Sequence, residues 1–186
     1  MRIRHFLLLA PLVLGGCGYN TIQSYDERAA RANQDIQVQL QRRVDLIGNL
    51  VETVKGQAKQ ELEVFTQVAR ARSGLTSALE KGDLKEMASA NDQLTTAVRG
   101  LNIAVEAYPQ IKSDQAFLRL QDELTGTENR IATARKDYNA MVEEYNAYIR
   151  RFPQVLTAKV IGSKAREYFE ASSAATGEAP KVDFSK

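Results

Sequence analysis

The chain has 186 residues, 44% of them hydrophobic and 26% charged, enough for one self-supporting domain without disulfide staples. Arg2, Arg4 and the sole histidine, His5, all lie at its start, and removing the two arginines from 25 basic residues leaves 23, equal to the 23 acidic ones. Beyond that start the chain is formally neutral, without histidine or tryptophan, so phosphate-driven binding of nucleic acid, imidazole or thiolate zinc sites and Ser-His or Cys-His catalysis all lack their parts.

The first element is an apolar run from Phe6 to Leu14 behind two arginines, too short for the ~20 helical residues that cross a bilayer. It ends in Leu14-Gly15-Gly16-Cys17, which contains the only cysteine and has the form of a bacterial lipoprotein cleavage box. The expectation is a signal peptide over 1–16, cleavage between Gly16 and Cys17, diacylglycerol on the thiol and an acyl chain on the freed amine, which together exceed the two lipid signals that durable anchoring needs. Gly18 in place of an aspartate points to the outer membrane, facing the periplasm, if the cell has two membranes. A short tether is expected over 17–24.

From Tyr25 an apolar or small residue returns at Ala29, Ala32, Ile36, Leu40, Val44, Ile47, Val51, Val54, Ala58, Leu62, Phe65 and Ala69. The mean step of about 3.67 predicts one nearly straight helix from about residue 20 to 73, roughly 80 Å long. Gly48 and Gly56 interrupt it, and close approach of another helix would compensate for their low propensity. A second helix is marked by Leu84, Met87, Asn91, Leu94, Val98, Leu101, Val105 and Tyr108, with Asp83 as its cap, Glu86 closing the capping box and Pro109 as its end. Asn91 on that seam either fixes register from inside or faces water. The third helix keeps a heptad from Phe117 through Leu124, Ile131, Tyr138 and Tyr145 to Phe152, where Pro153 breaks it. Pro153 to Ile161 reads as a short helix stopped by Gly162, Lys164 to Ala171 as another short amphipathic piece, and 172–186 as a disordered tail. Short connections make neighbouring helices antiparallel. The fold class is therefore all-α, an elongated antiparallel up-and-down bundle over 25–171 with one very long first helix and short C-terminal helices.

Tyr138-Asn139 and Tyr145-Asn146 repeat seven residues apart and present one face, with Arg150 nearby; Arg42, Asp45, Asn49 and Glu52 are the opposing candidates on the first helix. These groups either satisfy one another between packed helices or line a groove for a partner. Adjacent acids such as Asp122-Glu123 and Glu143-Glu144 point in different directions on a helix and form no catalytic dyad.

The stretches QRRVDLIGNLVETVKG over 41–56 and LTGTENRIATARKDYN over 124–139, with Tyr145-Asn146, Ile149 through Pro153, and Tyr168 through Glu170, strongly resemble proteins of the LemA family. The likeness runs from about Gly18 to Glu170. It implies an elongated antiparallel helical bundle anchored to a membrane by its amino terminus, and implies no reaction or cofactor. Three departures stand out: a lipid box replaces the usual anchor helix, Gly48 replaces a usual proline, and Gly162-Ser163 replaces a usual glycine-aromatic pair. The expected function is a non-catalytic scaffold or adaptor of the bacterial cell envelope, held to the membrane by lipid and engaging another envelope protein; by family analogy that partner is a quality-control factor such as a membrane peptidase system. The competing readings are a self-associating structural homo-oligomer and, far behind, a carboxylate-based hydrolase. The candidate partner-binding residues are Arg42, Asn49, Glu52, Asn139, Asn146 and Arg150.

Overall fold

The computed structural model describes residues 18–57 and 63–170; the cleavage box with Gly16 and Cys17 and the expected tail over 172–186 lie outside them. The described residues form helices and no strand: α1 Tyr19–Gln57, α2 Glu63–Lys81, α3 Leu84–Val105, α4 Pro109–Lys112, α5 Gln115–Arg150 and α6 Gln154–Ile161. The all-α class with a long first helix is thus what the fold is. Helix α1 has 39 residues, about 58 Å at 1.5 Å per residue. It begins at Tyr19, so the stretch expected as a tether is already helical.

One expectation is overturned here. The apolar repeat running on to Ala69 predicted a single helix to residue 73, but α2 is a separate helix that folds back, with Arg72 Nε donating to the carbonyl of Val44 at 3.1 Å. An unbroken apolar step cannot reveal a reversal, because the same face stays buried on both sides of it. Gly48 does meet a close neighbour: a Cβ there would stand 2.8 Å from Arg72 Cζ. Nothing lies within 4 Å of the corresponding point on Gly56, so close approach is not its explanation.

The remaining boundaries have local causes. Gly82, at φ 68°, ends α2 with its N–H on Ala78 O at 3.1 Å. Asp83 caps α3 by accepting the Glu86 N–H at 2.8 Å, while the Glu86 carboxylate turns to Lys81 Nζ at 2.9 Å rather than closing a box. Asp114 caps α5 by accepting from the N–H groups of Ala116 and Phe117 at 2.8 and 3.0 Å. Gly162, at φ 73°, stops α6, and Ser163 N–H reaches back to Ala158 O at 2.9 Å. Residues 163–170 are not helical, contrary to the amphipathic piece expected there. Phe152, expected on the buried seam of α5, is 76% exposed.

The described residues divide into two compact units, one within 18–38 and 130–168, the other within 39–57, 63–129 and 169–170. In the first, Ile22, Tyr145, Ile149 and Ala158 form a core flanked by Tyr25, Tyr148 and Ile161. In the second, Leu40, Ile47, Leu50 and Val54 of α1 are buried, as are Val68 and Leu75 of α2 and Met87, Leu94 and Leu101 of α3. Each such side chain removed from water contributes about 1.5 to 3 kcal/mol before entropy is counted.

Candidate functional site

In the first unit the long helices run in opposite directions: Ile22 packs with Ile149, the Tyr25 and Tyr148 rings meet at a tilt with centroids 5.2 Å apart, and Arg28 pairs with Glu144 at 3.6 Å. The partners of the Asn139 to Arg150 stretch on α1 are therefore Ile22, Tyr25 and Arg28, and the opposition expected from Arg42 to Glu52 is replaced by this register. Asn146 is buried, and both ends of its amide turn to the chain after α6: Nδ2 donates to the carbonyl of Arg166, and Oδ1 accepts the Arg166 N–H, each at 2.9 Å. Tyr138, also buried, donates its hydroxyl to Glu167 O at 2.9 Å. These bonds are why 163–170 leaves the helix, since the Arg166 N–H that a helix would direct four residues back is held by a side chain.

Arg166 completes the clasp. Its Nε donates to Asp26 Oδ1 at 2.8 Å, and its guanidinium lies 6.0 Å from the centroid of the Tyr145 ring. The hydrogen bond to Asp26 raises the arginine above its ordinary value, against the pull of burial. Burial raises the Tyr138 hydroxyl above its usual range, with Arg166 opposing the shift.

Beside the clasp a groove of about 340 Å³ opens between Tyr25, Ala140, Glu143, Glu144, Ala147, Tyr148 and Arg151. Its tyrosines meet at 50°, offering ring faces and edges together, and its carboxylates make it receptive to cations. The molecule supplies one such cation itself: Arg28 Cζ sits 5.5 Å from the Tyr25 centroid while the guanidinium holds Glu144. Glu143 and Glu144 are adjacent on α5 and point in different directions, so they do not form a paired-carboxylate dyad.

The second unit holds a site that periodicity alone missed. Arg43 is 3% exposed, and its Nη1 donates to Asn91 Oδ1 at 2.7 Å while Nη2 donates to Thr95 Oγ1 at 3.0 Å and Glu128 Oε1 at 2.6 Å. Thr95 passes its own hydroxyl hydrogen to Asn91 O at 2.9 Å. Burial pushes the guanidinium below its ordinary value, opposed by Glu128 and Asp92, but an arginine stays charged. Asn91 is thus inside and hydrogen-bonded, which decides between its two readings. A signal for Arg43 existed: Ile36, Leu40, Arg43, Ile47, Leu50 and Val54 alternate steps of four and three, so the arginine occupies a core position of a heptad. Nothing in sequence links Asp26 to Arg166, 140 residues apart.

The other candidates are placed as follows. Arg42 is exposed and pairs with Glu123 at 3.7 Å; Glu52 is exposed and pairs with Lys55 at 3.7 Å; Asn49 is exposed. Asn139 is half-buried and engaged, and Arg150 is exposed. Among the described residues no three Asp, Glu, His or Cys side chains gather as a metal-holding group, and no helix is long and apolar enough to cross a membrane.

Comparison with known proteins agrees with this architecture. The LemA family profile matches residues 32–184. The chain is 31% identical to magnetosome protein MamQ 2 of Paramagnetospirillum magneticum over 187 aligned residues, covering 88% of this chain and 68% of that protein. It is 26% identical to magnetosome protein MamQ of Magnetospirillum gryphiswaldense over the same shares, and 24% identical to protein LemA of Metamycoplasma hominis over 72% of this chain and 60% of that one.

Proposed function

We propose that this chain, which belongs to the LemA family, is a membrane-tethered, non-catalytic helical scaffold of the bacterial envelope that docks another envelope protein. The observation that carries the reading is the groove of Tyr25, Glu143, Glu144, Tyr148 and Arg151, aromatic and predominantly acidic, with the molecule's own Arg28 already engaging Tyr25 and Glu144. Such a surface suits a basic side chain of a partner that displaces Arg28. Relatives named for a cellular structure rather than a reaction support the non-catalytic part. The lipoprotein box ending at Cys17 supports the tether, through lipid on that residue, at the outer membrane where there are two. Arg42, Asn49, Glu52 and Arg150, all exposed, are further contact points in this reading.

The test is a photoreactive residue in place of Ala147, which lines the groove and is exposed, in the full chain in living cells. A crosslink to a different envelope protein, lost in Tyr148→Ala, is the expected result. A crosslink only to a second copy, together with a multiple of the protomer mass in detergent, would replace docking by self-association. Loss of both labelling by a fatty-acid analogue and precursor processing in Cys17→Ala checks the tether separately.

A further inference from the structure

Helix α6 is apolar on both sides. Thr157 and Ala158 turn inward, while Leu156 and Val160, one turn apart, are 55% and 87% exposed. Phe152 just before the helix is 76% exposed, and Tyr19, the first residue of α1, is 46% exposed. Large apolar side chains exposed along one short stretch of chain mark a surface that something covers.

Along the chain the charge here has one sign, although Arg151 also lines the groove that carries Glu143 and Glu144. From Tyr145 to Arg166 the sequence carries no aspartate or glutamate, in a chain otherwise balanced. Arg166 is held by Asp26, but Arg150, Arg151, Lys159 and Lys164 are exposed and make no ion pair with a described residue. The location of this surface is fixed by Gly18, where an added Cβ would stand 3.2 Å from Gln154 Cγ and 3.5 Å from Tyr148 Oη. The start of α1 therefore abuts the start of α6. Cys17 is the residue bonded to Gly18.

We propose that α6, with Phe152 and its flanking cations, lies in the plane of an anionic lipid surface. The inference rests on reading Cys17 as the lipidated residue, because that bond holds α6 within a few residues of the headgroups. At eight residues, about 12 Å, α6 is far too short to cross. Its length and composition suit an interfacial helix, with Leu156 and Val160 at the acyl boundary, Lys159 among the phosphates and Tyr19 at the level where tyrosines accumulate. An acidic protein would satisfy the cations as well, but it would not need them beside the tether.

The mature full-length protein with Val160→Cys, carrying an environment-sensitive fluorophore, tests this in vesicles of phosphatidylcholine with and without phosphatidylglycerol; intact mass shows whether Cys17 is lipidated and that one dye is bound. Ile103→Cys, 63% exposed and in the other unit, is the control. The expected result is a blue shift and quenching by brominated lipid at position 160 only, in anionic vesicles only. The docked-to-undocked ratio should drop about fivefold for each of Arg150, Arg151 and Lys159 changed to glutamine, and should also drop in high salt. A dye that stays in water while the protein floats with the vesicles overturns the patch and leaves the tether standing. A dye in water with no flotation overturns the patch as well, and the mass then decides the tether. A shift that needs an added envelope extract rather than anionic lipid overturns lipid in favour of protein.

Discussion

The two units solve the same problem, fixing the register of long helices, with different chemistry. The second buries a full charge: Arg43 reaches Asn91 and Thr95 on α3 and Glu128 on α5, so three helices are referred to one guanidinium. The first keeps its arginine at the rim, where Arg166 is half-buried between Asp26 and Tyr145, and gives the interior to the neutral groups Asn146 and Tyr138. Helices alone can surround a charge with side chains from several directions. An extended segment, whose backbone groups have no partners of their own, is better held by an amide that matches them one for one. The difference also sorts the errors each unit tolerates, since removing a partner from a buried charge costs more than removing a neutral hydrogen bond.

The largest expected effect is therefore at Asn91. Asn91→Leu leaves Nη1 of a buried arginine without its acceptor and should destabilise the second unit by about 3 kcal/mol. Adding Arg43→Met should recover most of that loss, because two apolar residues then replace the whole polar set. Urea unfolding followed by far-ultraviolet dichroism measures both; a double variant no more stable than the single one would mean that Arg43 does not act through Asn91. Near-ultraviolet dichroism separates the units, since of seven tyrosines only Tyr108 lies outside the first.

Asn146→Ala comes next, at about 2 kcal/mol for two hydrogen bonds with the Arg166 backbone, left partly open to water once the amide is gone. Its effect should stay in the first unit and appear as fast amide exchange at Arg166, with the far-ultraviolet transition of the second unit unmoved. Tyr138→Phe should cost less, about 1 kcal/mol at neutral pH. It should also change the response to alkali. Because the folded hydroxyl is held above the ordinary value of 10.0, the stability it lends is fully present below pH 10.0 and is lost as the pH rises towards the folded value. The wild type should weaken through that window, and Tyr138→Phe should weaken less steeply; parallel stability profiles would place the titration elsewhere.

Much of this was legible from the chain because helices announce themselves by period. Asp83, Pro109, Pro153 and Gly162 mark boundaries through local chemistry, and α3, α5 and α6 stand where those residues put them. What was not legible shares one cause: it depends on contacts remote in sequence. The reversal after α1 preserves the apolar step, so the period runs across it unbroken. The 163–170 segment has helix-compatible residues, and hydrogen bonds from Asn146 and Tyr138 on α5 hold its backbone out of a helix. Phe152 fits the heptad but lies past the last turn of α5, where the stripe no longer has a helix to face. For the site, the Tyr-Asn repeat did mark α5 as special, while Tyr138 and Asn146 turn to the backbone of Glu167 and Arg166, and Arg166 in turn to Asp26, rather than to the polar face of Arg42 to Glu52. The groove is similarly divided between α1 and α5, and sequence shows neither half as a surface.

The smallest effect tests whether close packing in the second unit extends from its buried charge to its glycines. Gly74 lies inside α2 with nothing within 4 Å of an added Cβ, so Gly74→Ala should gain about 0.5 to 1 kcal/mol from helix propensity alone. Gly48 in α1 has the same propensity to gain, but the new methyl group would meet the Arg72 guanidinium at 2.8 Å. That guanidinium is the far end of a flexible side chain and can swing away, at the cost of its hydrogen bond to Val44 O. A part-exposed hydrogen bond of this kind contributes about 0.5 to 1.5 kcal/mol, enough to cancel the propensity gain. Gly48→Ala should thus leave the urea midpoint nearly where it was, and Gly48→Ala combined with Arg72→Ala should be no less stable than Arg72→Ala alone. If Gly48→Ala instead stabilises as much as Gly74→Ala, the arginine contact contributes nothing and Gly48 is a plain interruption of the helix.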